Sequence, residues 1–410
     1  MKNSLRLIYQ LDLCVCVRGC WPLCLVMAGL VLVGLDRAAM AADWKEPSFE
    51  AQQIGSLEKG YGLSTGDVDG DGKLDVLLAD RETFVWFRNG DWKRFVLADR
   101  LDEQGAMSIE ARDIDGDGKV EIVICTRAPK ARIYWLERPA DPTQLWKPVG
   151  LPSEPNQHRM RWAKGADGRH YIISVPIHAR VKGEAVNIYA YPMPPDAQGK
   201  VERKLLIDNM SDMHDFSVVK GDKGQGEKLF FIGFEGVDLM GNSAEKFWQP
   251  DGVRRLPGMM EGLGEIDEGR TKGGSFLALG EPKHGTRVVV YPEDDKGQYS
   301  QGRQVLDDTL IACHALECED VLGLGYDQVI AGWWGDEGVG NYGIRIYVPM
   351  NDEATEWKTV SVDEGTMACQ SLQIADMDGD GDLDLVAAGW TTKNLVIFWN
   401  RSGESKSANK

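Results

Sequence analysis

Apolar residues along the chain fall into short runs set between clusters of Gly, Asp and Pro. Runs such as TFVWFRN (Thr83–Asn89), RIYWLER, NIYAYPM, RVVVYPE, IRIYVPM and LVIFWNR have strand length and are rich in β-branched and aromatic residues. Many are followed by another strand-like run, as in KRFVLAD, KLLIDN, RQVLDD and WKTVSVD. No segment sustains a long helical period. The runs repeat in units of roughly 50 residues. QSLQIADMDGDGDLDLVAAG (Gln370–Gly389) aligns without a gap on HDFSVVKGDKGQGEKLFFIG (His214–Gly233). HRMRWAKGADGRHYIISV (His158–Val175), GEIDEGRTKGGSFLALG (Gly264–Gly280) and HALECEDVLGLGYDQVIAG (His314–Gly332) fit the same frame with shorter loops. With the units around Asp67 and Asp113 this makes seven, each of about four strands, and predicts an all-β, seven-bladed β-propeller over residues 42–410 as one domain. The last unit stops after its third strand. FEAQQIGSL (Phe49–Leu57) resembles the other fourth strands and is predicted to complete that last blade, closing the ring and removing an open edge.

The turn between the first two strands of three units is strongly acidic. DVDGDGKLD (Asp67–Asp75) recurs as DIDGDGKVE (Asp113–Glu121) and DMDGDGDLD (Asp376–Asp384). Carboxylates of Asp67, Asp69, Asp71 and Asp75 with the carbonyl of Lys73 form an oxygen set suited to calcium, and the glycines permit the tight wrap. The equivalents are Asp113, Asp115, Asp117 and Glu121 with the carbonyl of Lys119, and Asp376, Asp378, Asp380 and Asp384 with the carbonyl of Asp382. An EF-hand is excluded, because its bidentate Glu would fall on Leu78, Ile124 and Ala387 and its flanks would be helical. Up to three structural calcium ions are expected, in blades one, two and seven.

Because these loops mark one face, the start of each first strand and the end of each second strand lie on the other. Register places His158, His214 and His314 at one equivalent position, the start of the innermost strand, with Gln370 and Tyr61 at that position in the last and first units. His284, at the end of a second strand, faces the same side. Three imidazoles converging with an open position are the ligand set of a catalytic zinc. The alternative is that they bond to neighbouring carbonyls and plug the channel. The same face gathers Arg81, Arg127, Glu235, Glu281, Trp333, Trp334 and Trp390 from second-strand ends, and Arg159, Arg161, Asp215, Glu261 and Glu265 from first-strand starts. Tryptophans beside carboxylates and arginines suit a sugar, which stacks on its apolar face and hydrogen-bonds through its hydroxyls. No Ser-His-Asp order, GxSxG elbow, phosphate loop or dinucleotide fingerprint is present.

Composition adds the setting. Residues 1–41 read as a signal peptide, with a basic start, the apolar run PLCLVMAGLVLVGL and small residues near Ala42, which points to a periplasmic or secreted protein. The net charge is −18, and removing four basic and two acidic residues with that segment makes it −20. A chain this acidic is a poor partner for nucleic acid or anionic membrane. Four of the eight cysteines lie in the signal; Cys125, Cys313, Cys318 and Cys369 are too sparse for a disulfide framework. They are expected as buried apolar residues, although Cys313 and Cys369 occupy equivalent places in consecutive repeats, where a bridge is geometrically conceivable.

The acidic repeats resemble those of the FG-GAP/VCBS propellers. More specifically, CHALECED (Cys313–Asp320) with AGWWG and YGIRIY, GEPKHGTRVVVY (Gly280–Tyr291) and MACQSLQIADMDGDGDLDLVAAGWTTKNLVIFWN (Met367–Asn400) resemble the propeller domain of aldos-2-ulose dehydratase, over essentially the whole chain after residue 41. That resemblance implies divalent ions in the loops, a zinc in the central pocket, and removal of water from ketosugars such as 1,5-anhydrofructose. It puts zinc on the ring histidines His158, His214 and His314, with His284 a further candidate; Glu265 or Glu281, on the same face, is the expected base. An acid of that class is replaced at Gln370, and the cupin domains of the full-length enzymes have no counterpart here. The expected function is a zinc-dependent sugar dehydratase or related lyase; the alternative is a calcium-stiffened binding propeller recognising a glycan, a protein or a second copy of itself.

Overall fold

In the computed structural model the described residues are 45–221, 226–241, 248–249, 253–258, 262, 264–299, 302–336 and 340–403. The proposed signal, residues 1–41, and Glu261 lie outside them. All regular structure among the described residues is β, and no helix is long and apolar enough to cross a membrane. Twenty-eight strands form seven four-stranded antiparallel sheets; six pair their strands in chain order, and the seventh joins the first strand of the chain to its last three. The seven-bladed architecture is therefore present.

The inner strands of blades one to seven are Gly60–Gly66, Ala106–Arg112, Gln157–Lys164, Met213–Val219, Ile266–Thr271, Cys313–Glu319 and Cys369–Ala375. Each packs beside the next, and the seventh packs against the first. The last sheet takes its outer strand from Phe49–Ser56, which runs antiparallel to Asn394–Asn400 from Phe49 opposite Asn400 to Ser56 opposite Asn394.

Strand formation follows from the alternating and β-branched runs, but the core lies between sheets. Leu77, Ala79, Phe84 and Trp86 of blade one pack on Ile109, Ile122, Ile124 and Leu136 of blade two. Ile54, Leu395 and Ile397 of blade seven meet Leu63, Val76 and Val85 of blade one in the same manner. Each sheet buries both faces against neighbours, so its second strand reads as an unbroken apolar run. DVLLAD at Asp75–Asp80 is buried throughout.

The acidic loops wrap tightly, with Gly70 and Gly72 at φ 80° and 85° and their counterparts in the other two loops also left-handed. The Asp67 carboxylate accepts the N–H groups of Gly70 and Gly72 at 2.6 and 2.8 Å, and Asp113 and Asp376 do the same in their loops. Asp75 is fully buried, accepting N–H groups from Val68 and Asn89 at 2.9 and 2.8 Å.

All four cysteines of the described chain are buried free thiols. The conceivable Cys313–Cys369 bridge does not form: the thiols face the backbone carbonyls of Ala315 and Ser371 within their own strands.

Candidate functional site

A β-bulge begins the inner strand in six of the seven blades. Pairing with the second strand skips between Gln157 and Arg159, Met213 and Asp215, Cys313 and Ala315, Cys369 and Ser371, Ala106 and Ser108, and Gly60 and Leu63. The residues left unpaired are His158, His214, His314, Gln370, Met107 and, in blade one, Tyr61 with Gly62. A bulged residue leaves the ladder and can turn its side chain toward the axis instead of into a blade interface. Blade five differs: Ile266 pairs regularly with Leu279, and its imidazole comes from the following loop, where His284 holds a left-handed backbone at φ 50°.

The structure brings His214, His284 and His314 together, each with a ligand-capable nitrogen within 4.8 Å of the others. His214 Nδ1 donates to the Gly264 carbonyl at 3.1 Å and His314 Nδ1 to the Gln370 carbonyl at 2.9 Å. Those bonds fix the tautomers and leave the lone pair on Nε2 of each ring. His284 Nε2 lies 2.9 Å from His214 Nε2, slightly under the roughly 3.3 Å expected between two nitrogens of a tetrahedral zinc. The trio could hold a transition metal with a fourth position open. In its absence one His284 N–H donating to His214 satisfies the same pair.

His158 departs from the expected ligand set. Its ring lies tilted by 44° beside His214 at 5.4 Å between centroids, outside the trio, and its Nδ1 has no hydrogen-bond partner. Burial pushes all four imidazoles down, to about 3 for His158 and about 4 for His284, and well below the usual imidazole range for His214 and His314. Positive neighbours add to this, chiefly Arg159 and Lys283 around His158. Near neutral pH the cluster is uncharged.

Above it opens a cavity of about 250 Å³ walled by the four histidines, Tyr61, Met107, Arg127, Gln157, Trp334, Gln370 and Trp390. The Trp334 ring lies 4.7 Å from His314 and 5.6 Å from Trp390, and Trp390 meets Tyr61 edge-on at 5.1 Å. Five side-chain atoms of this wall are buried without a hydrogen-bond partner: Tyr61 Oη, Gln157 Nε2, His158 Nδ1, Trp334 Nε1 and Gln370 Oε1. A buried polar atom left unpaired costs about 1–3 kcal/mol, so such a concentration marks a wall built for a polar ligand.

The expected bases lie elsewhere. Glu281 is fully buried against Arg303 Nη2 at 2.5 Å and the Tyr291 hydroxyl at 3.0 Å, a structural pair outside the cavity. Glu265 sits beneath the trio in a narrow axial channel of about 40 Å³. Its Oε1 is 3.1 Å from His214 Nδ1, but that N–H is aimed at Gly264, and Oε1 has no hydrogen bond. Burial raises its pKa well above the carboxylate range, with Asp215 adding to the rise and Arg159 opposing it. Burial thus favours the neutral acid at Glu265, which lines the channel below the trio and not the cavity above it. Arg161 lies deeper still, donating to the Phe216 carbonyl at 2.7 Å and pairing with Asp215 at 3.2 Å. Among the other residues expected on this face, Trp333 is buried in the core, Arg81 pairs with exposed Glu58, and Glu235 accepts from Ser211. The sequence reading missed Gln157 and Met107; the signal for Met107 was the shared register of the bulges, whereas Gln157 is the paired residue just before one.

The acidic trios Asp67, Asp69 and Asp71, Asp113, Asp115 and Glu121, and Asp376, Asp378 and Asp384 each gather carboxylate oxygens within 4.8 Å. They lie at the other end of the inner strands, roughly 20 Å from the histidines by the length of a seven-residue strand. Asp117 instead turns toward Lys119, accepting its backbone N–H at 2.8 Å. Burial pushes Asp75 up to about 7 and Asp384 to about 6.

Residues 54–124 match the FG-GAP-like repeat family. No curated protein matches the chain. Among solved structures it aligns with BBS1N in complex with ARL6DN, at 14% identity over 89% of this chain and 99% of that one, TM-score 0.56. It also aligns with streptogramin B lyase, at 11% identity over 86% and 98%, TM-score 0.51. A chain of the mitotic checkpoint complex matches at 10% identity over 97% and 98%, TM-score 0.54. At such identities the likeness is one of fold.

Proposed function

We propose that the chain is a metal-dependent carbohydrate lyase, a dehydratase of ketosugars, working in the cavity above His214, His284 and His314. The observation that carries this reading is the pair of Nε2 lone pairs, on rings held by backbone carbonyls, beside a third imidazole and under a wall of unpaired polar atoms and two tryptophans. A zinc ion held there would polarise a sugar keto oxygen. Trp334 and Trp390 offer flat faces to the ring, and Gln157, Gln370 and Tyr61 orient its hydroxyls. His158 Nδ1 takes the proton from the carbon beside the carbonyl. The Tyr61 hydroxyl protonates the hydroxyl leaving the next carbon, so that water departs and a carbon–carbon double bond remains. The carboxylate trios on the far face hold calcium and stiffen the loops, and the preceding segment directs the protein out of the cytoplasm.

Metal analysis of the purified, zinc-equilibrated chain, together with the ultraviolet absorbance of the enone from 1,5-anhydrofructose, tests the reading. His214→Ala, His284→Ala and His314→Ala should each lose about one equivalent of zinc and all turnover. His158→Ala should keep the zinc and lose turnover. A wild-type chain without zinc or turnover would leave a binding propeller, in keeping with the protein complexes in which BBS1N and the checkpoint chain are found.

A further inference from the structure

We infer that the histidine pocket takes an acidic sugar, one carrying carboxylates of the uronic acid class, with its anionic groups held by Arg127 and by a neighbouring basic groove. This deepens the carbohydrate reading above and rests on it for the sugar, but not for the metal. The protein carries a net charge of −18, yet not one carboxylate lines the pocket, and apart from the imidazoles Arg127 is its only ionisable cationic wall residue. The Arg127 guanidinium lies over the Tyr61 ring at 4.8 Å and has no ion pair among the described residues. Lys59 Nζ stands 4.3 Å over the Trp390 ring, likewise without an ion pair. The permanent positive charges at this wall are Arg127 and Lys59, with Arg159 and Lys283 beside His158.

A second concavity of about 940 Å³ lies between blades two and three, lined by Pro129 and Asn156, the chain neighbours of the pocket residues Ala128 and Gln157. That groove holds Lys130, Arg132, Arg180 and Arg203 against one carboxylate, Glu154, which is itself paired with Arg203 at 2.8 Å. Four cations less one anion leave the groove at +3. Lys130 and Arg180 are exposed and have no ion pair among the described residues. On a strongly acidic protein such a local reversal of sign favours a negatively charged ligand. The donors Trp334 Nε1, Gln157 Nε2 and the Tyr61 hydroxyl suit carboxylate and hydroxyl oxygens, and the two indoles suit a pyranose face. Pocket and groove together fit several linked residues better than one. Phosphate is the weaker match, since no helix N-terminus among the described residues faces the site.

Calorimetric titration of the full chain, its zinc content measured in the same sample, with trigalacturonate and with neutral maltotriose decides the matter. The acidic trimer should bind about tenfold or more tightly at low salt, with the preference shrinking as salt is added. Arg127→Gln, and separately Lys130→Glu with Arg180→Glu, should erase the preference while melting temperature and zinc content stay at the wild-type level. Equal binding of the two trimers, no binding of the acidic one, or a preference that survives both variants would overturn the inference. The two readings fail separately. A chain that holds zinc but binds both trimers alike loses only the acidic specificity. A chain without zinc that still selects trigalacturonate through Arg127 loses only the metal chemistry.

Discussion

His158, His214 and His314 stand at one register position, yet only the last two share a centre, and the third nitrogen comes from His284 in a loop. Each inner-strand imidazole leaves the ladder at a bulge, so its direction depends on local backbone geometry that no spacing reports. Charge is decided at the same scale. Glu110 and Glu317 line the axial channel, and Glu317 is 24% exposed, to that narrow channel. Desolvation pushes each up to about 8, against an ordinary value of 4.5, with Arg161 opposing. The folded chain thus binds more protons than the unfolded chain between those values, so stability falls as pH rises toward 8 and levels off above it. Below about pH 7.5 the unfolded histidines still hold protons that the buried ones have lost, which opposes the decline; above it they are neutral in both states. Guanidinium melts between about pH 7.5 and 8.5 should show this decline, and Glu110→Gln with Glu317→Gln should reduce its slope. An unchanged slope would mean that both carboxyls are already ionised in the fold.

At the scale of elements, the acidic loops combine a local device with a long-range one. The carboxylates of Asp67, Asp113 and Asp376 are held by glycine N–H groups three and five residues on, a pattern that short-range sequence encodes. Asp75 and Asp384 are buried by the blades packed around them, which only the assembled sheet provides. Crowding several carboxylates without a cation raises the energy of the folded state, and a bound ion relieves it. EDTA should therefore lower the melting temperature by several degrees, with calcium restoring it better than magnesium. Asp71→Ala or Asp378→Ala should reproduce part of the loss and leave the zinc content untouched, since the histidines lie at the other end of the strands. A melting curve indifferent to EDTA would count against calcium in all three loops.

Across the whole molecule, the hydrophobic layers lie between neighbouring blades, so each blade depends on the next. The outer strand of the last blade, Phe49–Ser56, brings Ile54 into the layer between blades seven and one, and Gln52 accepts from Trp399 Nε1 at 2.8 Å. Without it the strand Asn394–Asn400 becomes an open edge. Deleting Glu46–Leu57 should give aggregating protein, and a soluble, cooperatively folding monomer would show that the ring holds without that strand. The repeat of strand-length runs, their grouping by four and the count of seven were legible in the sequence, because strand periodicity and glycine-rich turn chemistry are local properties. What only the tertiary structure decided is long-range: which imidazoles meet, the burial that favours the neutral acid at Glu265 and locks Glu281 to Arg303, the free thiols of Cys313 and Cys369, and the positive pocket on an acidic chain. Each depends on the relative placement of residues from different blades, set by bulges and loop backbone once the ring is assembled.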